Sequence, residues 1–159
     1  MQNSEHENKI LCVLRGPVGI GKSTYIKNKG FKVLSTDDFF YDDKGNYNFD
    51  LDLLPIAHCW NYTRVLNSFS RNEQKICIDN TNIELWEMKD YVAAARHFNY
   101  EIKIKEFDIP EGITALHLSQ RSKHNVPEGV VEKMILVYSN LRNATIDQIL
   151  KSEKPKGKY

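Results

Sequence analysis

The sequence predicts an α/β domain, a parallel β-sheet of four to five strands covered by helices, with a short helical lid. Three observations predict it. Residues 10–14 and 75–79 are short, continuous apolar runs, as expected of strands buried on both faces. Segments of helical spacing lie between such runs. The resulting order, β-α-β-α-β-α-β-α-α, returns the chain to the same end of a sheet each time, which a parallel sheet satisfies.

The elements follow in order. Ile10-Leu-Cys-Val-Leu14 is the first strand, and a Gly-rich turn leads into a short helix from about Gly21 to Asn28, stopped by Gly30. Phe31–Leu34 is a second strand, and residues 39–50, rich in Tyr, Asp, Asn and Gly, form a loop. Asp52 caps a helix that tolerates Pro55 in its first turn, with Ile56, Cys59, Thr63, Leu66 and Phe69 as its apolar side. Lys75–Asp79 is the third strand. Thr81 and Glu84 have capping-box spacing for a helix whose stripe is Leu85, Met88, Val92 and Ala95. Tyr100, Ile102 and Ile104 alternate with charged residues, so the fourth strand is half exposed and lies near an edge. Residues 111–122 form a short helix. Pro127 opens the last one, with Val131, Met134, Ile135, Tyr138 and Leu141 on its apolar face.

Composition sets the outer limits. With 159 residues, 41% hydrophobic and 27% charged, the chain can build one ordinary core and is not a disordered polymer. A net charge of +1 argues against a protein that coats nucleic acid, while leaving room for a local basic patch. No apolar stretch approaches membrane-spanning length, and residues 1–8 carry no secretory or organellar targeting pattern. Cys12, Cys59 and Cys77 are far apart with no CxxC, which suits a reducing, cytoplasmic setting. The expected organisation is a flexible N-terminus at 1–8, one domain at 9–151 and a basic flexible tail at 152–159.

Gly16-Pro-Val-Gly-Ile-Gly-Lys-Ser23 matches G-x-x-x-x-G-K-[ST], with a buried strand before it and a helix after it. That context narrows the class to a P-loop nucleotide-binding fold. Glycines let the backbone wrap with its N–H groups pointing inward around phosphate oxygens. Gly16, Gly19, Ile20 and Gly21 supply this cradle. Lys22 reaches the β- and γ-phosphates, and the Ser23 hydroxyl ligates Mg²⁺. Thr24 either joins the phosphate contacts or simply continues the helix. ATP and Mg²⁺ are therefore the expected ligands.

Asp37 and Asp38 follow the second strand, at the carboxyl end where parallel sheets bind ligands. One of them can accept the proton of an attacking hydroxyl, or either can cap a turn. Asp79 ends an apolar strand and suits Mg²⁺, directly or through water, or a strand-end turn. Asn80 and Asn82 either line an acceptor pocket with Asp38 or, for Asn82, cap the next helix. Arg121, in Arg-Ser-Lys-His-Asn-Val-Pro127 between the last two helices, can close over transferring phosphate oxygens or stay solvated. Lys123 and His124 are weaker candidates. Phe39, Phe40, Tyr41, Tyr47 and Phe49 either plug the underside of their loop or stack on a base.

Gly16–Thr24, Ser35-Thr-Asp-Asp-Phe39, Ile78-Asp-Asn-Thr-Asn82 and Arg121…His124-Asn-Val-Pro127, in that order, resemble the phage-type polynucleotide 5′-hydroxyl kinase domain. They also resemble the related small AAA-type kinase domains of larger repair-associated proteins, whose branch is suggested by Tyr47–Asp50 and Ala57-His58. The resemblance spans about residues 9–143. It implies a P-loop kinase fold, a parallel sheet with a lid, and transfer from ATP, with Mg²⁺, to the 5′-OH of DNA or RNA. It implies Asp37 as general base and, with a shorter lid, Arg121 as the lid arginine. The phage-type family has Arg three positions after the base, where this chain has Phe40. Its Asp-Thr-Asn is Asn80-Thr81-Asn82 here, with Asp79 one step earlier. A chain of this length is not expected to hold a 3′-phosphatase domain. Beside a polynucleotide kinase stand two alternatives: a small-molecule kinase acting on a nucleoside, nucleotide sugar or antibiotic, and an ATP-binding module without transfer activity.

Overall fold

The computed structural model describes residues 8–158. Four parallel strands, β1 (Ile10–Arg15), β2 (Lys32–Leu34), β3 (Lys75–Ile78) and β4 (Glu101–Glu106), lie in the order β2-β3-β1-β4. The four-stranded parallel sheet agrees with the sequence, as does β4 at an edge. Cys12 and Cys77 face each other in the β1–β3 register, both free and buried, packed as small apolar residues.

Helices α1 (Lys22–Ile26), α2 (Leu54–Ser70), α3 (Trp86–His97), α4 (Ala115–Arg121), α5 (Glu128–Asn140) and α6 (Ile146–Lys151) complete the chain, with a 3₁₀ turn over Thr36–Phe40 after β2. The main core joins Leu11, Val13, Ile76 and Ile78 of the sheet to Val65, Phe69, Met88 and Val92 of α2 and α3. A separate apolar cluster ties the lid together: Ala115, Leu118 and Val131 pack with Val18 and Ile20 of the glycine-rich loop.

Four local expectations need correction. Asp52 does not cap α2: it lies in a 3₁₀ turn over Leu51–Leu53 that Asp50 caps, and α2 starts at Leu54 with no side-chain cap. The buried side of α2 is Ala57, Asn61, Val65, Ser68 and Phe69, while Ile56, Cys59 and Thr63 are exposed. The helix is rotated because Asn61 is satisfied inside by the Tyr91 hydroxyl, 3.1 Å from its Nδ2. The Thr81–Glu84 capping box does not form. Asn82 adopts a left-handed conformation (φ 48°), α3 starts later, and the Glu87 carboxylate accepts from the Glu84 N–H at 2.8 Å. Helix α6 was not expected. It opens with a Thr145–Gln148 capping box and closes the core with fully buried Ile149.

The expected N-terminal segment lies outside the described residues except for Asn8. Residues 152–158 run back along α3: Lys89 Nζ donates to the Ser152 carbonyl (2.8 Å) and Lys158 pairs with Glu84 (2.7 Å). Among the described residues no helix is long and apolar enough to cross a membrane.

One buried charge holds the carboxyl ends of these elements together. Arg15, 0% exposed, donates from Nε to the Asn82 carbonyl (2.8 Å) and from Nη2 to the Ile83 carbonyl (2.7 Å). Its Nη1 donates to Glu106 Oε1 (2.8 Å) and the Leu141 carbonyl (2.7 Å). Burial opposes ionisation of Glu106, but the Asn143 N–H and the Arg142 and Arg15 guanidiniums prevail and hold its carboxyl below the ordinary value. Removing the guanidinium leaves three carbonyls without that donor and takes from Glu106 one of its two guanidinium partners. Arg15→Met is expected to lose about 3–5 kcal/mol in urea unfolding, and Glu106→Gln less. The Glu106 contribution is present at neutral pH and fades as pH falls through its depressed folded-state value.

Candidate active site

The phosphate loop runs from Gly16 to Ser23, between the buried end of β1 and α1. Its entry is fixed by the Gly16 N–H, which donates to the Thr81 carbonyl at 2.9 Å. Gly19 (φ +71°) and Gly21 (φ +103°) take left-handed conformations that only glycine adopts cheaply. A Cβ on Gly19 would stand 2.3 Å from the Leu118 carbonyl oxygen and 3.2 Å from Arg121 Cβ. Glycine therefore lets α4 rest on the loop, and Arg121 at the end of α4 stands beside it. Arg121 is exposed and has no ion pair among the described residues.

Lys22 is buried, and its Nζ donates to the Gly16 (2.8 Å) and Pro17 (2.9 Å) carbonyls. Burial pulls its pKa down to about 8, against the opposing pull of Asp79 and Asp37. Ser23 donates to Asp79 Oδ2 at 2.7 Å. The loop, the end of β3 and the residues after β2 thus bring Lys22, Ser23, Asp79 and Asp37 near one another.

Asp37 sits in the 3₁₀ turn, whose start is fixed by a capping box. Ser35 Oγ accepts from the Asp37 N–H, and Asp38 Oδ2 accepts from the Ser35 N–H. The side chain of Asp37 is 47% exposed and faces the lid. Tyr47 donates to its Oδ1 at 3.2 Å, and His124 Nε2 lies 3.4 Å from its Oδ2. The Tyr47 and His124 rings stack with centroids 3.9 Å apart. Burial pushes the Tyr47 hydroxyl pKa up, with further help from the Asp37 charge and hydrogen bond, so Tyr47 stays a donor. The stack joins the aromatic loop to the segment between α4 and α5. Phe40 is buried at 4% exposure against Phe39, Tyr47 and Phe49, plugging that loop from below.

The remaining candidates divide. Asn80 Oδ1 accepts from the Thr36 N–H at 2.9 Å, locking the exit of β3 to the turn that carries Asp37. Asp38 pairs with Arg64 of α2 at 3.0 Å. Asn82 does not reach the site. It is 1% exposed, and its Nδ2 donates to the Leu14 carbonyl at 2.7 Å. Its role is to hold β1, not to meet an acceptor. Ile20 serves the loop through lid packing, and Thr24 is exposed. Arg64, Arg15 and His58 went unremarked as site residues. For Arg64 the available signal was its i+4 spacing from Trp60 on one helix.

A family model described as an AAA domain matches residues 11–141. The chain belongs to the AAA domain family. This AAA domain is 35% identical over 151 residues to human NEDD4-binding protein 2, covering 92% of the chain but 8% of that protein. Its fold also matches a chain in a solved Pnkp1/Rnl/Hen1 RNA repair complex (TM-score 0.65, 22% identity, 88% of this chain and 47% of that one). A gluconokinase from Sinorhizobium meliloti 1021 is similar in fold as well (TM-score 0.52, 12% identity, 89% and 87% covered). The AAA domain is thus built on a P-loop kinase fold, and it spans under half the length of the first two of these proteins.

Two outcomes follow from the loop. A phosphate beside Lys22 would raise its pKa, so nucleotide binding there would take up a proton above pH 8. Affinity for ADP, read by calorimetry, is expected to be full below about pH 8. It should weaken by up to about tenfold per pH unit above that, and Lys22→Met should flatten the profile. Gly19→Ala is expected to cost about 1–2 kcal/mol from its backbone alone, and more as α4 is pushed off the loop.

Proposed function

We propose that this AAA domain is an ATP-dependent kinase that phosphorylates a hydroxyl, foremost the 5′-OH of a DNA or RNA end. The observation that carries the proposal is the convergence of Lys22, the Ser23–Asp79 pair and Asp37 at the carboxyl ends of three adjacent strands.

The roles follow from the chemistry. The loop amides and Lys22 bind the β- and γ-phosphates, Lys22 exchanging its two carbonyl partners for phosphate oxygens. Ser23 and Asp79 offer hard oxygen ligands that fit Mg²⁺, which brings most of its shell as water and phosphate. When bound, that ion offsets the charge on the phosphates. Asp37 takes the proton of the attacking hydroxyl as its oxygen bonds to the γ-phosphorus. The bond from that phosphorus to the bridging oxygen breaks, and ADP leaves. Arg121 supplies its planar fork to the equatorial oxygens. The hydroxyl reaching Asp37 replaces the Tyr47 or His124 contact.

Support for a polynucleotide acceptor comes from the ordered set of four motifs and from the fold shared with a chain of an RNA repair complex. The free, largely buried thiols suit the cytoplasm. A small polyol or nucleoside acceptor is the second reading, favoured by the gluconokinase that this fold matches over most of both chains.

Labelled ATP offered with a 5′-OH oligonucleotide, and separately with a panel of nucleosides and sugar acids, tests the reading. Label is expected on the oligonucleotide, and label on the panel alone would overturn the polynucleotide acceptor. Asp37→Asn is expected to lower kcat by at least about a hundredfold with ADP affinity retained. Unaltered turnover in that variant would remove Asp37 as the base.

A further inference from the structure

The segment after α6 carries a charge that the transfer chemistry does not use. Residues 151–159 hold four lysines and one glutamate, a net charge of +3, while the whole chain carries +1. The rest of the chain is therefore net negative, and this segment is where a polyanion meets the opposite sign.

The segment is tied to the domain. Fully buried Ile149 anchors α6, and Lys89 Nζ of α3 donates to the Ser152 carbonyl (2.8 Å). Lys154 Nζ lies 5.7 Å from the centre of the Trp86 ring, at the start of α3. Lys158 pairs with Glu84 (2.7 Å), whose carboxylate also accepts from Trp86 Nε1 (2.8 Å). The one acid at this crossing is thus neutralised. Lys156 is exposed and makes no ion pair among the described residues.

Glu84 and Trp86 belong to the stretch that leaves β3 through Asp79 and Asn80, so the lysines lie on the side of the fold where the base stands. One imidazole links the two. His58, near the start of α2, has Nδ1 3.4 Å from the Thr36 hydroxyl, and Thr36 directly precedes Asp37. Burial holds the His58 pKa down, while the Asp37 charge pulls it up and the Lys154 charge pushes it further down. His58 therefore stands within electrostatic reach of the base on one side and of the Lys154 ammonium on the other.

Positive charge held along a fixed path that begins beside the base suits a row of phosphates, because a single strand is bound largely by neutralising its backbone. A small acceptor ends before it reaches these lysines.

We infer that the segment from Ser152 to Lys158 is a rail for a polynucleotide strand, with Lys154 and Lys156 against phosphates beyond the reacting 5′ end. The inference rests on the kinase reading above and adds to it a binding surface outside the transfer site, one that favours a strand over a short acceptor.

The test uses the full chain, saturating ATP and two 5′-OH acceptors, a dinucleotide and a single strand of about twelve nucleotides. Wild-type protein is expected to show a KM at least about tenfold lower for the longer strand. Lys154→Gln combined with Lys156→Gln should raise KM for the longer strand far more than for the dinucleotide. Arginine at both positions, which keeps the charge, should restore the preference. Affinity for the longer strand, read by fluorescence anisotropy, should fall with salt. The slope of log affinity against log salt should be shallower by about 1.4 in the glutamine double variant, two phosphate contacts at about 0.7 each.

If the segment only braces α3, the glutamine variant lowers thermal stability and acts on both acceptors alike, with the salt slope at its wild-type value. That result overturns the rail and leaves the kinase reading intact, as does a wild-type KM that does not change with strand length. Label on nucleosides or sugar acids alone, or on no acceptor at all, overturns both. Should the double variant fail to fold, as judged by circular dichroism, Lys156→Gln alone decides the matter: its slope falls by about 0.7 or the rail is overturned.

Discussion

A guanidinium without access to water costs several kcal/mol unless every donor and its charge are answered. Arg15 is in that position, and its acceptors come from the loop after β3, the end of β4 and the end of α5. Since Arg15 immediately precedes Gly16, the demand that its charge be satisfied sets the entry of the phosphate loop against all three. Tyr138 reinforces the junction. Its hydroxyl donates to the Phe107 carbonyl (2.7 Å), accepts from the Phe107 N–H (2.9 Å) and lies 3.1 Å from the Arg15 carbonyl. None of these elements can drift without stranding a charge, so the loop is presented rigidly.

The same physics acts at Lys22 with the opposite result. Burial weakens that charge, two carboxylates partly restore it, and its interim partners are loop carbonyls. A lysine held this way gains most when an anion arrives, which is what a phosphate cradle requires. The two carboxylates are not equivalent. Asp79 is tied to Ser23 of the glycine-rich loop, whereas Asp37 is half exposed and touched by one residue from the aromatic loop and one from the segment between α4 and α5. The aromatic loop and the segment between α4 and α5 therefore meet at a single carboxylate.

Much of this was legible in the chain. Strands β1 and β3 announced themselves as unbroken apolar runs because both their faces are covered. The phosphate loop was legible because its chemistry is contiguous, every group lying within eight residues. The stripe of α3 held because Met88, Val92 and Ala95 have no competing polar partner. Expectation failed where a polar side chain found a distant mate. Asn61 turned α2 by bonding to Tyr91, and Asn82 left its expected cap for the Leu14 carbonyl.

Periodicity and local motif determined the fold class, the strand cores and the glycine-rich loop between β1 and α1, since these depend on which side of a segment is apolar and on groups adjacent in the chain. Only the tertiary structure decided the Arg15 junction, the Tyr47–His124 contacts on Asp37 and the pairing of Arg64 with Asp38. Their partners stand from 10 to 126 positions apart. A polar group's partner is whatever acceptor the packed elements bring within about 3 Å, and no local pattern encodes that.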